Sequence, residues 1–366
     1  MKVASGTGSV RNIPTVSVTI CAPGTSTCQT IDNIQVDTMS FGLRLVNTAA
    51  ASVLGSLSIE TDSSGNQIAE CTQFADGYTW GSVRKADVTI GGETASNIPV
   101  AIIGDMSSST IPSGCSSLGS AENTVSALGA NGILGIGVAT YDCGATCVSS
   151  IPSTPMYYAC SGGTSCGSGT TLALAQQVIN PVVKFSSDNN GVVLAMPSVG
   201  TTGSSTASGT LTFGIGTQSN NTLSASQQFG TTGTGLVNST FSSTSGVAFF
   251  DSGSNGYFIG DSTLTACSGT YAGWYCPSSA TTRSVAITNA SGSVATGTVT
   301  LSIYNASTLF GSGNYALNDL AGDIGSTTVQ DLGMPFFYGR TVYFGYDLTS
   351  SSRGAGTGTQ TPYIAF

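Results

Sequence analysis

Val36-Asp37-Thr38-Met39-Ser40 and Phe250-Asp251-Ser252-Gly253-Ser254 say nearly the same thing in the two halves of the chain. Each sets an aspartate at the end of an apolar run, a hydroxyl residue beside it, and a second hydroxyl two positions on. A duplicated, two-lobed molecule whose site takes one carboxyl from each lobe needs this arrangement. At the glycine position the copies part, Met39 standing against Gly253. Glycine lets backbone approach closely, so a side chain at Met39 must find room in the cleft or alter it. Read singly, each motif is also an ordinary turn, because Asp-Thr and Asp-Ser commonly bond to their own backbone.

Around the motifs the chain reads as short strands joined by Gly, Ser, Asn and Pro turns, an all-β pattern. Residues 13–20 and 31–36 alternate as strands with Pro23-Gly24 turning between them, and the second strand delivers Asp37. Leu43, Leu45 and Val46 continue extended, and residues 74–92 read as a hairpin-like stretch broken at Gly77 and Gly91-Gly92. The glycines of Gly132-Ile133-Leu134-Gly135-Ile136-Gly137 allow close backbone packing. Residues 171–178 predict a short helix. Strands are then predicted over 182–185, 192–195, 211–213, 247–250, 294–303 and 342–346, with 201–208 a low-complexity loop. The division falls near residue 175, giving an N-terminal lobe 1–175 and a C-terminal lobe 176–366, one Asp motif in each. No repeat of about 20–50 residues is present, which argues against a solenoid or propeller.

The 366 residues carry only 7% charged side chains, 49 glycines and a net charge of −9. An apolar content of 40% and a mean hydropathy of +0.21 predict a folded chain with a sizeable core. No positive stripe exists to neutralise phosphates, which excludes nucleic-acid binding. No apolar stretch approaches the roughly 18–20 residues that span a bilayer. Ten cysteines predict an oxidising compartment and about five bridges. Cys21–Cys28 and Cys267–Cys276 would close small loops, and Cys71 would pair with Cys115. Cys143, Cys147, Cys160 and Cys166 would then staple one excursion among themselves. A zinc site at those four is the rival reading, but their spacing is not that of a finger and the chain has no histidine. The expected location is secreted, periplasmic or cell-surface. Met1-Lys2-Val3 has no apolar signal core behind it, so either a signal peptide was removed or the compartment is not the oxidising one expected.

Without histidine there is no Ser–His–Asp triad, Cys–His pair or His-ligated metal. Carboxylate chemistry remains. Two carboxyls about 3 Å apart cannot both ionise, so they share one proton and titrate as a pair. The ionised partner takes a proton from water while the protonated one donates to a carbonyl oxygen, hydrolysing a peptide with no covalent intermediate. Asp37 and Asp251 are the candidate pair. Thr38 and Ser252 would bond across to the opposite strand, and Ser40 and Ser254 would each hold the outer oxygen of their own aspartate.

Taken together, the motifs resemble those of the pepsin-like aspartic peptidases. That family pairs two Asp-Thr/Ser-Gly-Ser/Thr motifs, each followed later in its lobe by an apolar-apolar-Gly segment passing behind the aspartate. Ile133-Leu134-Gly135 resembles the first such segment. Leu332-Gly333, then Met334-Pro335-Phe336-Phe337-Tyr338 and Thr341-Val342-Tyr343-Phe344, resemble the closing Leu-Gly and paired strands. Residues 74–92, ending Ala86-Asp87-Val88-Thr89-Ile90-Gly91, resemble the flap hairpin. In its wording over 36–45 and at Tyr78-Thr79-Trp80-Gly81 the chain looks nearer to an uncharacterised bacterial branch than to digestive enzymes.

The resemblance implies a bilobal fold with an interlobe cleft and few short helices. It implies an aspartic endopeptidase with Asp37 and Asp251 catalytic and Thr38, Ser40, Ser252, Gly253 and Ser254 in support. Phe74, Asp76, Tyr78 and Trp80 would form the flap and substrate-binding wall, Tyr78 matching the flap tyrosine by residue type. No cofactor or metal is implied. The partner would be a polypeptide in the cleft, and one chain supplying both aspartates would act as a monomer. Met39 departs from the pattern, and Arg44 stands near where the family often has a bulky aromatic. Two other readings stay open: a catalytically impaired pepsin-like binding or inhibitory protein with Met39 altering the cleft, and a β-rich adhesion protein whose Asp motifs are only turns. The last requires the two carboxyls to lie apart.

Overall fold

The computed structural model describes residues 1–290 and 295–366. Its strands form sheets of twelve, seven and five. The largest is drawn from the first half, joined by one short strand of the second, Ala207–Ser208, which pairs with Lys2–Val3. The other two sheets belong to the second half, and the C-terminal Tyr363–Ala365 pairs with both Thr341–Gly345 and Gln228–Gly230. Helices are short. Among the described residues the longest is Ala306–Gly311, and none is long and apolar enough to cross a membrane.

One strand arrangement occurs twice. Cys28–Asp37 runs parallel to Gly132–Ile136, with Asp37 opposite Gly135. That strand is antiparallel to Phe41–Val46, which is parallel to Glu93–Ile103. In the second half Thr244–Phe250 runs parallel to Val329–Leu332, which is antiparallel to Tyr257–Ile259, itself parallel to Ala321–Gly322. Each aspartate therefore leaves its strand beside a passing Leu-Gly. Only glycine fits there: a Cβ on Gly135 would lie 2.6 Å from the Phe41 nitrogen, and one on Gly333 2.1 Å from the Gly256 oxygen.

Beneath these strands, Ile34, Val36, Leu43 and Leu134 belong to the same buried cluster as Phe250, Leu332, Phe336 and Phe337. Each such side chain contributes about 1.5–3 kcal/mol by leaving water, so the core that carries the two Asp turns is common to both halves.

Several local expectations are corrected. Residues 74–92 are not a hairpin in themselves. Gly77–Ile90 is one long strand whose partner, Gln67–Gln73, precedes it, and the tip is Phe74-Ala75-Asp76. Gly77 does not break the strand; a Cβ there would meet the Ser120 oxygen at 2.3 Å, so glycine admits the neighbouring chain. Gly91 and Gly92, both at positive φ, do form a two-residue hairpin turn into Glu93–Ile103. The helix predicted over 171–178 reduces to a single 3-10 turn, Leu174–Gln176. The strand predicted over 182–185 is instead the 3-10 turn Pro181–Lys184. Pro181 has no N–H for a ladder and the Asn180 side chain caps the turn by accepting from the Val182 N–H. The strand predicted from Val294 is Thr296–Ile303; Val294 lies outside the described residues.

Five disulfides join Cys21 to Cys28, Cys71 to Cys115, Cys143 to Cys147, Cys160 to Cys166, and Cys267 to Cys276. The four cysteines of the excursion are consumed by two short-range bridges, which leaves no thiolate for zinc.

Candidate active site

The two Asp turns are tied to each other by hydrogen bonds that cross between the halves. The Thr38 hydroxyl donates to the Phe250 carbonyl at 2.7 Å and accepts from the Ser252 N–H at 2.9 Å. The Ser252 hydroxyl donates to the Val36 carbonyl at 2.7 Å, and the Gln35 amide donates to the Gly253 carbonyl at 2.8 Å. Asn12 adds a further tie: its amide donates to the Asn255 and Leu317 carbonyls, while its own carbonyl oxygen accepts from the Leu317 N–H and the Tyr338 hydroxyl.

Each aspartate is held in the same way. The Met39 and Ser40 N–H groups donate to Asp37 Oδ1 at 2.7 and 3.1 Å, and the Ser40 hydroxyl donates to Oδ2 at 2.5 Å. The Gly253 N–H donates to Asp251 Oδ1 at 2.7 Å, and the Ser254 hydroxyl to Oδ2 at 2.8 Å. The two carboxyls converge. A Cβ at Gly253 would lie 2.9 Å from Asp37 Cγ and 3.0 Å from Asp251 Oδ1, so a single point touches both. Gly253 is not in the left-handed region, so glycine is required there for space alone. Burial, then the charges of Asp37 and Asp331, push the Asp251 carboxyl well above the usual range; the Ser254 and Gly253 hydrogen bonds oppose this.

Met39 does not enter this space. A Cβ at Gly235, in the second half, would lie 3.2 Å from the Met39 sulfur, so the side chain reaches toward that turn. Met39 is half-buried and its backbone is not left-handed.

A cleft of about 480 Å³ opens over Asp37, Asp251, Gly253 and Ser254. Phe74 and Asp76 at the hairpin tip form part of its wall, together with Ile133 and Asp331. Tyr78 and Trp80 are placed elsewhere. They are 5% and 1% exposed, packed with Tyr158 and the Cys71–Cys115 bridge, and the Trp80 indole donates to the Thr110 hydroxyl. Tyr78 and Trp80 are two apart on one strand and so share a face, the one packed with Tyr158 and the bridge. A second cavity, of about 460 Å³ near Met1, Lys2 and Phe213, contains neither dyad carboxyl.

Arg44 forms the centre of a buried network under the hairpin. Its Nε and Nη2 donate to the two Glu70 oxygens at 3.0 and 2.7 Å, and Nη2 also reaches Asp142 at 3.3 Å. The Tyr157 hydroxyl donates to Asp142 at 2.6 Å. Strand Phe41–Val46, which follows the first Asp turn, is thereby fixed to the hairpin arm Gln67–Gln73. An aromatic at position 44 would fill the space without making that tie.

Three residues of the cleft escape a motif-based reading. Asp331 precedes Leu332-Gly333 where the first half has Ile133 before Leu134-Gly135; aligning the two segments would have exposed it. Glu122 carries no sequence signal, but in the fold it faces Asp76, and burial with that neighbouring charge raises its carboxyl to about 7. Asp323 also lines the cleft. No cluster of three His, Cys, Asp or Glu suited to a metal ion exists among the described residues.

This fold is that of the pepsin-like aspartic proteinases. The structure is similar over 100% of its length to the crystal structure of an aspartic proteinase from Irpex lacteus, with a TM-score of 0.52, 15% sequence identity and 96% of that chain covered. The chain itself belongs to the family described as "Protein of unknown function (DUF3443)", which matches residues 1–366. No curated protein matches the sequence.

Proposed function

We propose that the protein is an aspartic endopeptidase in which Asp37 and Asp251 share one proton. The observation that carries this reading is the convergence of the two carboxyls on one point, each inner oxygen held by a backbone N–H and each outer oxygen by a serine hydroxyl. A water between the carboxyls would lose a proton to the ionised partner and attack the peptide carbon. The protonated partner would donate to the carbonyl oxygen, and the proton taken from water would pass to the leaving amine. The crossing bonds through Thr38 and Ser252 fix the separation that makes the proton shared.

The lobes, 1–175 and 176–366, would clasp an extended polypeptide beneath the Phe74–Asp76 tip, and one chain would act as a monomer. The Met39 side chain points to Gly235 rather than across the carboxyls, which favours a working dyad over a filled cleft. Adjacent, doubly held carboxyls weigh against an adhesion protein whose motifs are only turns. Five disulfides support a secreted, periplasmic or cell-surface setting, and the bacterial branch remains part of this proposal.

The test is cleavage of an unstructured protein from acidic to neutral pH, with and without a pepstatin-type transition-state mimic. Inhibitor-sensitive cleavage that Asp251→Asn abolishes supports the reading. Silence that Met39→Gly relieves would assign the cleft-altered alternative, and silence in both would remove the peptidase.

A further inference from the structure

The two halves contribute unlike groups at matching points of the cleft. Ile133 lies opposite Gln35, two residues before Asp37, and Asp331 lies opposite Phe249, two residues before Asp251. Both line the cleft. One is aliphatic and the other is a carboxyl. Asp331 is 5% exposed and its Oδ1 is buried with no hydrogen-bond partner. The strand does not need a carboxyl there, since the first half builds the same strand with isoleucine, and burying a carboxyl with one oxygen left unpaired is costly. Asp323, Asp76 and Glu122 line the same cleft, and among the described residues no lysine or arginine does.

A buried carboxyl with one oxygen unpaired, lining an acidic cleft, is the complement of a cation arriving through that cleft. We propose that the cleft selects polypeptides with a lysine or arginine side chain on the Asp331 side, its cationic head docking on Asp331, and an aliphatic side chain on the Ile133 side. The position of these side chains about a scissile bond rests on the peptidase reading; the cation contact does not. Burial, opposed by the Ser254 hydrogen bond and aided by the charge of Asp37, favours the protonated Asp331 carboxyl. An ammonium brought beside it reverses that preference, with Asp251, Asp323, Asp76 and Glu122 facing the same space.

The test uses pairs of reduced-amide peptides that differ only in lysine or norleucine after the uncleavable bond. Their binding to the unmodified protein is read by fluorescence anisotropy, and cleavable versions of the same pairs are assayed in parallel. The lysine peptide is expected to bind about tenfold more tightly, the gap closing at high salt. Asp331→Asn is expected to bring the lysine-to-norleucine ratio near one, and Asp331→Ile, which copies the first half, to invert it. Equal binding of the two peptides by the unmodified protein overturns the proposal, as does a lysine preference that survives both substitutions. If neither variant folds, arginine-to-citrulline peptide pairs on the unmodified protein decide it, equal binding again overturning it. Lysine-selective binding without any cleavage keeps the cation site and removes the peptidase; cleavage with no lysine preference does the reverse.

Discussion

Thr38 and Ser252 hold each other's strands: the Thr38 hydroxyl sits between the Phe250 carbonyl and the Ser252 N–H, while the Ser252 hydroxyl reaches the Val36 carbonyl. Both residues are essentially without exposure, at 1% and 0%. The distance between Asp37 and Asp251 is thus fixed by bonds that water does not reach.

Thr38→Val keeps the shape and removes the hydroxyl, leaving a buried carbonyl and a buried N–H unpaired. A loss of about 2 kcal/mol is expected from chemical denaturation, within the range of about 1–3 for an orphaned buried group. Thr38→Ser keeps the hydroxyl and should retain most of that stability. A larger loss in Thr38→Ser than in Thr38→Val would mean the methyl, not the hydroxyl, matters.

Gly253→Ala places a carbon against both carboxyls. Proteolysis should fall by at least about 100-fold, as for a misplacement of about 1 Å at a reacting centre, with the circular dichroism of the fold retained. Met39→Gly, whose side chain leads away from that point, should change the rate by less than about tenfold, since no reacting group moves.

Asp251, Asp331 and Asp142 are each held well above the usual carboxyl range, burial being the first cause in every case, and Glu122 is raised to about 7. The folded state therefore keeps protons that the unfolded chain has released. This stabilisation is fully present below the unfolded values, about pH 4, and is lost as pH rises through the raised folded values. The melting temperature should be higher near about pH 5 than near about pH 8. Asp331→Asn should narrow that difference.

Arg44→Met would leave Glu70 and Asp142 facing each other in the interior without their cation. The expected cost is about 3–5 kcal/mol, the range for breaking a buried pair by removing one partner. Arg44→Lys should not restore it, because an ammonium cannot serve both Glu70 oxygens and the Phe41 carbonyl in a fork. Equilibrium denaturation and proteolytic nicking at 74–76 would report both effects.

Cys71 and Cys115 close a loop with a sequence separation of 44, against 4 for Cys143 and Cys147. On loop-closure entropy, replacing the first pair by alanine should cost about 4 kcal/mol and the second about 2. Denaturation midpoints of the two double variants test the order.

Residue types alone determined a great deal here. The absence of histidine left carboxylates as the candidate site groups, and a duplicated Asp-hydroxyl motif announced the duplicated strand arrangement. The glycines of Leu134-Gly135 and Leu332-Gly333 marked where backbone passes closely, because no other residue leaves that space. Local conformation was less legible: 171–178 and 182–185 carry apolar residues that suit helix or strand, and Asn180-Pro181 with tertiary packing chose 3-10 turns instead. Side-chain direction was decided only by the fold. Tyr78 and Trp80 are enclosed because Tyr158 and the Cys71–Cys115 bridge pack against them from distant parts of the chain. Met39 could be seen to need room, but where it found room depended on Gly235, nearly two hundred residues away in the chain. The charge of the cleft also belongs to tertiary structure, since Asp76, Glu122, Asp323 and Asp331 share no motif and become one surface only when separate elements pack around Asp37 and Asp251.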